Sequence, residues 1–445
     1  MFLTVFSLLR AVLRRPPCYF VVPCVRLVCG LLGPGLFGAQ TPAGPVTIPV
    51  WDNPAEDSVV YYHIPHILVT RSGILIALAE ARHAAGGDGE KTDIVLRRSF
   101  DRGDTWSKSQ FLERAKGREN YVLPVLIQER RSGRIFFHCS LRNEGLEDRT
   151  TENYYRYSDD DGATWSKPVD ITSVLVRADR ELQRAIREHR AGPEFAGESP
   201  ELYGRGLFFS GPGRPIQLAA LHPIHPHRLA IPMLVIKDRN SPQRNQRGYG
   251  NALLISDDAG ASWQVAGITP IGDVAASEPS LVELPDGRLL LNTRETPGRD
   301  FLAAPAGRTR SVSIDGGATW SRPVVDTSGI PAYSETHSGL YLLSDARTDP
   351  AGRSRVLFSY PAGPRRANGT VMLSYDNHES WAVRKLLVAG DFGYSNMDRL
   401  PDGTIVLIYE NRSFATKEFA SRINLVRFSL EWLTDGRDRL TPRTK

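Results

Sequence analysis

At 445 residues the chain exceeds one ordinary domain, yet a closed all-β architecture absorbs that length without splitting. Hydrophobic content of 41% and charged content of 24%, with no low-complexity tract, exclude a disordered or collagen-like chain. The formal charge of +5 does not point to nucleic acid: Arg10, Arg14, Arg15 and Arg26 stand in the first 39 residues, which hold no acids, and the remainder carries +1.

Residues 1–39 combine an Arg-bearing start, an apolar run from Cys18 to Phe37 and a small-residue end at Gly38-Ala39. They are expected to be an export leader cleaved near Ala39, which places the mature chain outside the cytoplasm, secreted or in the periplasm or cell envelope. Pro23, Arg26, Gly30 and Pro34 break the uninterrupted apolar span that a membrane anchor needs. A lipid-bearing Cys29 is a weaker alternative, because Val28 precedes it where a small residue is expected. Cys18, Cys24 and Cys29 belong to this leader, so Cys139 is left alone and no internal disulfide is expected. Residues 40–57 are expected to be a linker, 58–435 the folded domain and 436–445 a tail.

Within the domain a turn motif recurs with the pattern S-x-D-x-G-x-[T/S]-W. Its copies run Ser99 to Trp106, Ser158 to Trp165, Ser256 to Trp263, Ser313 to Trp320 and, with His378 in place of glycine, Ser374 to Trp381. In such a box the Asp accepts backbone N–H groups across the turn, the Gly permits positive φ, and the Trp supplies buried area. Five copies with matched Ser, Asp and Trp offsets mark a repeat architecture. Aliphatic runs enter several boxes, as in Ile94-Val95-Leu96 and Val371-Met372-Leu373, and Pro-Asp-Gly turns at 285–287 and 401–403 join further strand pairs. The exception is 172–189, whose Val174, Leu175, Leu182 and Ile186 fall at helical spacing and predict an excursion beside a blade. Copies one and two start 59 residues apart, two and three 98, and the rest 57 and 61, so the long gap is expected to hold a blade without a box. The chain therefore predicts an all-β, six-bladed β-propeller of four-stranded antiparallel blades. The turn of the fifth box is expected to be distorted by His378.

Between the boxes lie Tyr62-His63-Ile64-Pro65, the Gly86-Gly87-Asp88-Gly89 loop, Ser277-Glu278-Pro279, Asn292-Thr293-Arg294, Arg365-Arg366, Gly393-Tyr394-Ser395 and Ile408-Tyr409-Glu410. Together with the boxes, over residues 58 to 432, this order resembles the sialidase (neuraminidase) family, whose members are glycoside hydrolases with Asp-box repeats. The resemblance implies that Tyr394 is the nucleophile, Glu278 its base and Asp88 the acid/base. It implies that Arg294 and Arg366 clamp the substrate carboxylate and that Glu410 steadies the first arginine; Arg365 competes with Arg366. The family arginine before Ile-Pro is His63 here, which weakens or redirects carboxylate binding.

These residue types suit the chemistry. A sialoside carries a carboxylate on its anomeric carbon, which repels a carboxylate nucleophile but not a neutral phenol. A phenol with an ordinary pKa of roughly 10 needs a neighbouring base, and two guanidiniums offer planar, charge-assisted hydrogen bonds. Singly, each residue also has an ordinary reading as a turn, surface or core residue; the joint order favours the site. The expected function is a retaining exo-glycosidase acting as a monomer on a glycan that ends in sialic acid or a related acidic sugar. Alternatives are the same fold acting on another ulosonic or uronic sugar, a glycan-binding propeller without catalysis, or a lyase. The His222-Pro223-Ile224-His225-Pro226-His227 cluster lacks acidic partners, so neither a metal nor another cofactor is expected.

Overall fold

The computed structural model describes residues 43–440, apart from segments at 53–57, 85–86, 118, 144–150, 237–247, 273, 296–306, 332–335, 364–365 and 413–420. The expected leader, with Cys18, Cys24, Cys29 and Ala39, and the competing Arg365 lie outside the described residues.

Strand β1 (Val46–Trp51) comes first in the described chain and waits for a partner from its end. A first meander follows, β2 (Tyr61–Val69), β3 (Leu75–Arg82), β4 (Thr92–Ser99) and β5 (Gln110–Glu113); a second is β6 (Glu119–Gln128), β7 (Ile135–Asn143), β8 (Thr151–Ser158) and β9 (Val169–Asp170). Helix α1 (Thr172–Arg187) then leads to β10 (Leu207–Ser210), β11 (Ile216–Gln217), β12 (Leu229–Ile236), β13 (Tyr249–Ser256) and β14 (Gln264–Ile268). The fourth meander is β15 (Ala276–Glu283), β16 (Leu289–Glu295), β17 (Arg308–Ser313) and β18 (Val324–Val325); the fifth is β19 (Leu340–Ser344), β20 (Arg355–Gly363), β21 (Ala367–Ser374) and β22 (Val383–Asp391). The last consists of β23 (Ser395–Arg399), β24 (Ile405–Arg412) and β25 (Ser421–Phe428), and β1 completes it antiparallel to β25. The first two meanders are joined by one parallel bridge, Thr92 to Asn120, so they count as one hydrogen-bonded sheet although each turns as its own blade.

The innermost strands stand beside one another around an axis, β2 next to β6 and β23, β6 next to β10, and β15 and β19 leading on to β23. Among the described residues the strands thus form a closed propeller of six meanders, all-β except for α1, two short 3-10 turns and a final helical turn, and the third blade carries an additional strand, β11. Apolar clusters fill the spaces between adjacent blades. One packs Trp51, Leu75, Val95, Val406 and Ile423 across the seam between the first blade and the last.

Each box joins the third strand of its blade to the fourth, and the five share one network. The Ser hydroxyl donates to the Asp Oδ1 at 2.7–2.8 Å. The N–H four residues after that Ser donates back to its Oγ at 2.7–2.9 Å. The Thr or Ser N–H donates to Asp Oδ1 at 2.9 Å.

Four expectations are corrected here. Among the described residues, the long gap between the second and third boxes holds α1 and its loops and no additional blade, with Leu175 buried against the third blade. The blade without a box is the last, because its third and fourth strands, β25 and β1, come from distant parts of the chain and share no turn. For the same reason the expected linker 40–57 contains a strand of the propeller, and the expected tail is anchored: buried Asp438 accepts from Arg355 at 2.7 and 2.8 Å and from the Tyr375 hydroxyl at 2.8 Å. The fifth box is not distorted, since His378 adopts φ 76° and lays its ring against Trp381, 5.0 Å between centroids.

Candidate active site

Because each blade is a meander, the start of its first strand, the end of its second and the start of its third lie at one end of the axis, while the boxes lie at the other. His63 stands near the start of β2, Glu278 near the start of β15, and Tyr394 immediately before β23. Arg294 and Glu410 lie near the ends of the second strands β16 and β24, Arg366 immediately before the third strand β21, and Asp88 in the β3–β4 connection. The topology delivers all seven to one face.

Register makes two of the pairings. Pro279 pairs with Thr293 and Ser395 with Tyr409, so Glu278 meets Arg294 and Tyr394 meets Glu410 at the next step of each hairpin. The Glu410 N–H donates to the Tyr394 carbonyl at 2.9 Å. At the centre, the Tyr394 hydroxyl donates to Glu278 Oε1 at 2.5 Å. Arg294 Nη1 donates to the Tyr394 hydroxyl oxygen at 3.2 Å and to Glu278 Oε2 at 3.3 Å. The Arg366 guanidinium lies over the Tyr394 ring, 5.2 Å from its centroid. Ile64, Val122, Leu123, Phe209 and Leu234 pack with the ring from three blades and keep water from it.

Tyr394 is 5% exposed. Burial first, and the Glu278 carboxylate second, push its phenol well above the ordinary range, while Arg294 and Arg366 pull it down. The resting phenol is therefore protonated and hydrogen-bonded to the carboxylate able to take its proton.

His63 faces this group from β2. Its Nδ1 lies 2.7 Å from Glu410 Oε1, and its ring stands edge-on to Tyr394 at 5.1 Å. The neighbouring Ile64 has φ 49°, a left-handed conformation that a β-branched residue rarely adopts, at the bulge that breaks the β2–β3 register between His63 and His66. Such strain concentrates where a chain must aim a side chain.

Asp88 stands at the rim, its side chain 78% exposed. Asn120 Nδ2 and Arg142 Nη1 each donate to its backbone carbonyl at 2.6 Å. Its recessed surroundings raise the carboxyl pKa, but Arg82, donating at 3.0 Å, and then His63 more than offset this and hold it below the usual range. Asp88 is linked toward the Tyr394 group through Arg82, Tyr61 and the field of His63.

The sequence assigns no role to Arg82 or Glu80. Arg82 is 3% exposed and donates to Glu80 Oε2 at 2.6 and 2.9 Å and to the Tyr61 hydroxyl at 3.2 Å. The second Glu80 oxygen accepts from the Leu123 N–H at 2.9 Å, which ties the first blade to the second. Their signal was an alternating Glu-x-Arg at the end of a strand, directly before the Asp88 loop. His337, 1% exposed, was missed too; it tilts against Tyr394 at 6.1 Å, and burial, then Arg308, hold its ring neutral. Nothing in the sequence around it marked it.

The His222–His227 cluster is structural. His222 Nε2 lies 3.1 Å from the Gly287 carbonyl oxygen, its Nδ1 accepts from the N–H of Ile224 and of His225, and His225 Nδ1 accepts from Arg228. Among the described residues no group of three acidic, His or Cys side chains is placed to hold a metal. Nor is any helix among them long and apolar enough to cross a membrane.

A propeller with a tyrosine–glutamate pair beneath two arginines at one end of its axis defines a sialidase-like protein. Residues 73–407 match the BNR repeat-like domain, and the chain belongs to that family in its sialidase form. The sialidase of Micromonospora viridifaciens is 29% identical over 391 residues, 84% of this chain and 52% of the relative, so the chain spans about half that protein's length. The leech intramolecular trans-sialidase complexed with 2,7-anhydro-Neu5Ac superposes with a TM-score of 0.64 at 17% identity, covering 88% of this chain and 71% of its own. The intramolecular trans-sialidase from Ruminococcus gnavus gives 0.63 at 18% identity, covering 89% and 99%. At these identities the two solved structures establish the fold.

Proposed function

We propose that the chain is a retaining exo-sialidase that removes a terminal sialic acid or related acidic sugar from a glycan. The observation that carries this reading is the 2.5 Å hydrogen bond from the buried Tyr394 phenol to Glu278, with Arg294 donating to both. In the first step the Tyr394 oxygen forms a bond to the anomeric carbon as the glycosidic C–O bond breaks. Glu278 takes the phenol proton, and Asp88 gives a proton to the departing oxygen. In the second, water attacks the same carbon, Asp88 takes its proton, and the phenol recovers its own from Glu278. Two inversions give net retention. Arg294 and Arg366 hold the substrate carboxylate, and an attacking phenol remains neutral until Glu278 deprotonates it.

His63 supports a second reading, in which the same machinery accepts a different ulosonic or uronic sugar, because an imidazole contacts less of a carboxylate than a guanidinium fork. Residues 1–39, as an export leader, would bring the enzyme to extracellular glycans, where it would act as a monomer.

Turnover of a fluorogenic sialoside, with the first-formed anomer followed by NMR, tests the proposal. Release of the α-anomer by wild type and its loss in Tyr394→Phe is the expected result. Release of the β-anomer first overturns retention. A 2,7-anhydro sugar as the main product overturns hydrolysis, and an unsaturated uronic product or binding without turnover overturns the sialidase reading altogether.

A further inference from the structure

Asp88 sits between two glycines, Gly87 with φ 115° and Gly89, so its own stretch of chain does little to fix it. What holds the main chain there comes from the second blade. Asn120 Nδ2 on β6 and Arg142 Nη1 on β7 both donate to the Asp88 carbonyl oxygen at 2.6 Å, one for each of its lone pairs. The two donors are cross-strand partners in the β6–β7 register, and Asn120 also makes the parallel bridge to Thr92 that joins the first blade to the second. At the far end of the loop the Thr92 hydroxyl donates to the Glu90 carbonyl at 2.9 Å. The connection is thus pinned at Asp88 and again at Glu90.

Two features give these donors a role beyond packing. Asn120 is 1% exposed, and its Oδ1 is buried with no hydrogen-bond partner among the described residues. An apolar side chain of the same shape would avoid that penalty, so what the amide contributes here is its Nδ2 donor. Arg142, in turn, lays its guanidinium 5.5 Å from the centroid of the Phe209 ring, and Phe209 belongs to the wall that packs on Tyr394. One side chain therefore meets the Asp88 main chain with one nitrogen and the packing of Tyr394 with its flat face.

We infer that Asn120 and Arg142 are positioning residues for the acid/base: they fix the Asp88 main chain and, through Phe209, its placement relative to Tyr394. The Asp88 carboxyl then meets the departing glycosidic oxygen as the phenol attacks. This rests on the proposed sialidase mechanism and adds to it the residues that set its geometry. Without the clamp, the glycine-flanked residue samples positions from which its carboxyl misses that oxygen, and the loss falls on proton donation rather than on nucleophilic attack. The positive charge of Arg142 also acts on the Asp88 carboxylate, whereas Asn120 carries no charge, so the two positions separate placement from electrostatics.

The test measures kcat/KM, which reports the first step, on the full chain with sialyllactose and with aryl sialosides whose phenols differ in acidity. An acidic phenol leaves without a proton and an alcohol does not. Asn120→Leu, which removes the donor and changes no charge, is expected to lower kcat/KM about tenfold for sialyllactose and by less than about twofold for the most acidic phenol. The dependence on leaving-group acidity therefore steepens. Arg142→Met is expected to steepen it likewise, and Arg142→Lys, which keeps a donor and the charge, to restore most of the loss. Urea unfolding is measured alongside; Arg142 is partly exposed, and its variants carry the test if Asn120→Leu does not fold. An equal loss for every leaving group, or no loss, in the folded variants overturns the inference and leaves the sialidase reading standing. Failure of wild type to turn over any sialoside overturns the sialidase reading and this inference with it.

Discussion

The charge state of Asp88 is set by its neighbours, and that fixes a pH dependence. A general acid works only while protonated, and Arg82 holds the Asp88 carboxyl below its usual range. At saturating substrate, kcat is therefore expected to fall as pH rises from the acid side, more steeply for a natural glycoside than for a fluorogenic phenol that leaves without protonation. Removing the positive charge raises the Asp88 pKa, so the paired replacement Glu80→Gln with Arg82→Gln, which leaves no buried charge uncompensated, is expected to move the falling limb of kcat to higher pH. A limb that stays in place or moves down contradicts the assignment. At Tyr394 the effect is larger: Tyr394→Phe is expected to lower kcat by on the order of a thousandfold or more while inhibitor affinity changes little, because the ring and its packing remain. Most of these residues were legible in the sequence because a fixed order of rare contexts carried them. Glu80, Arg82 and His337 were not, since a buried ion pair on a strand and a histidine in a loop look ordinary until the topology brings them to the same end of the axis.

At the scale of the element, the boxes are the feature the sequence displayed most openly, and their chemistry is stability. The Thr105 and Ser99 hydrogen bonds hold the Asp101 carboxyl at about 2, and Asp160 is likewise held at about 2 by Thr164 and Ser158 against the opposing effect of burial. A folded-state pKa below the unfolded value of about 3.9 means a contribution that is present above that value and lost as pH falls through the folded one. Urea unfolding at pH 6, 4 and 2.5 is expected to show a progressive loss over that acid interval. Asp258→Ala removes the acceptor of the Ser256 hydroxyl and the Ser262 N–H and is expected to cost about 1–3 kcal/mol without altering kcat. A stable Asp258→Ala protein with lost activity would place the box in the chemistry. The fifth box shows where the reading fell short: a histidine in place of glycine suggested distortion, but the left-handed turn is kept, with the ring packed against Trp381 of the same box and 3.5 Å from Asn292 Nδ2 on β16 of the neighbouring blade.

For the whole molecule, closure between β1 and β25 decides which part of the chain is domain. Repeat spacing in the sequence conveyed the class of fold, but the closing partner of the last blade lies more than 370 residues away in the numbering, beyond any local pattern. Trp51, 1% exposed, seals that seam. Trp51→Ala is expected to cost about 3–5 kcal/mol and to lower the urea midpoint in one cooperative transition; a second transition would show that the last blade unfolds by itself. Closure also aligns the site, because Tyr394 and Glu410 ride on the blade that β1 completes and meet His63 on the first blade across the seam. The measurement that bears most directly on the account is mass spectrometry of the chain after reaction with a 3-fluorinated sialosyl fluoride, whose electron-poor ring slows the second displacement. The account predicts one added sugar on the peptide that contains Tyr394, absent in Tyr394→Phe. A label on Glu278 or Asp88, or rapid turnover with no covalent adduct and the β-anomer released first, would contradict it.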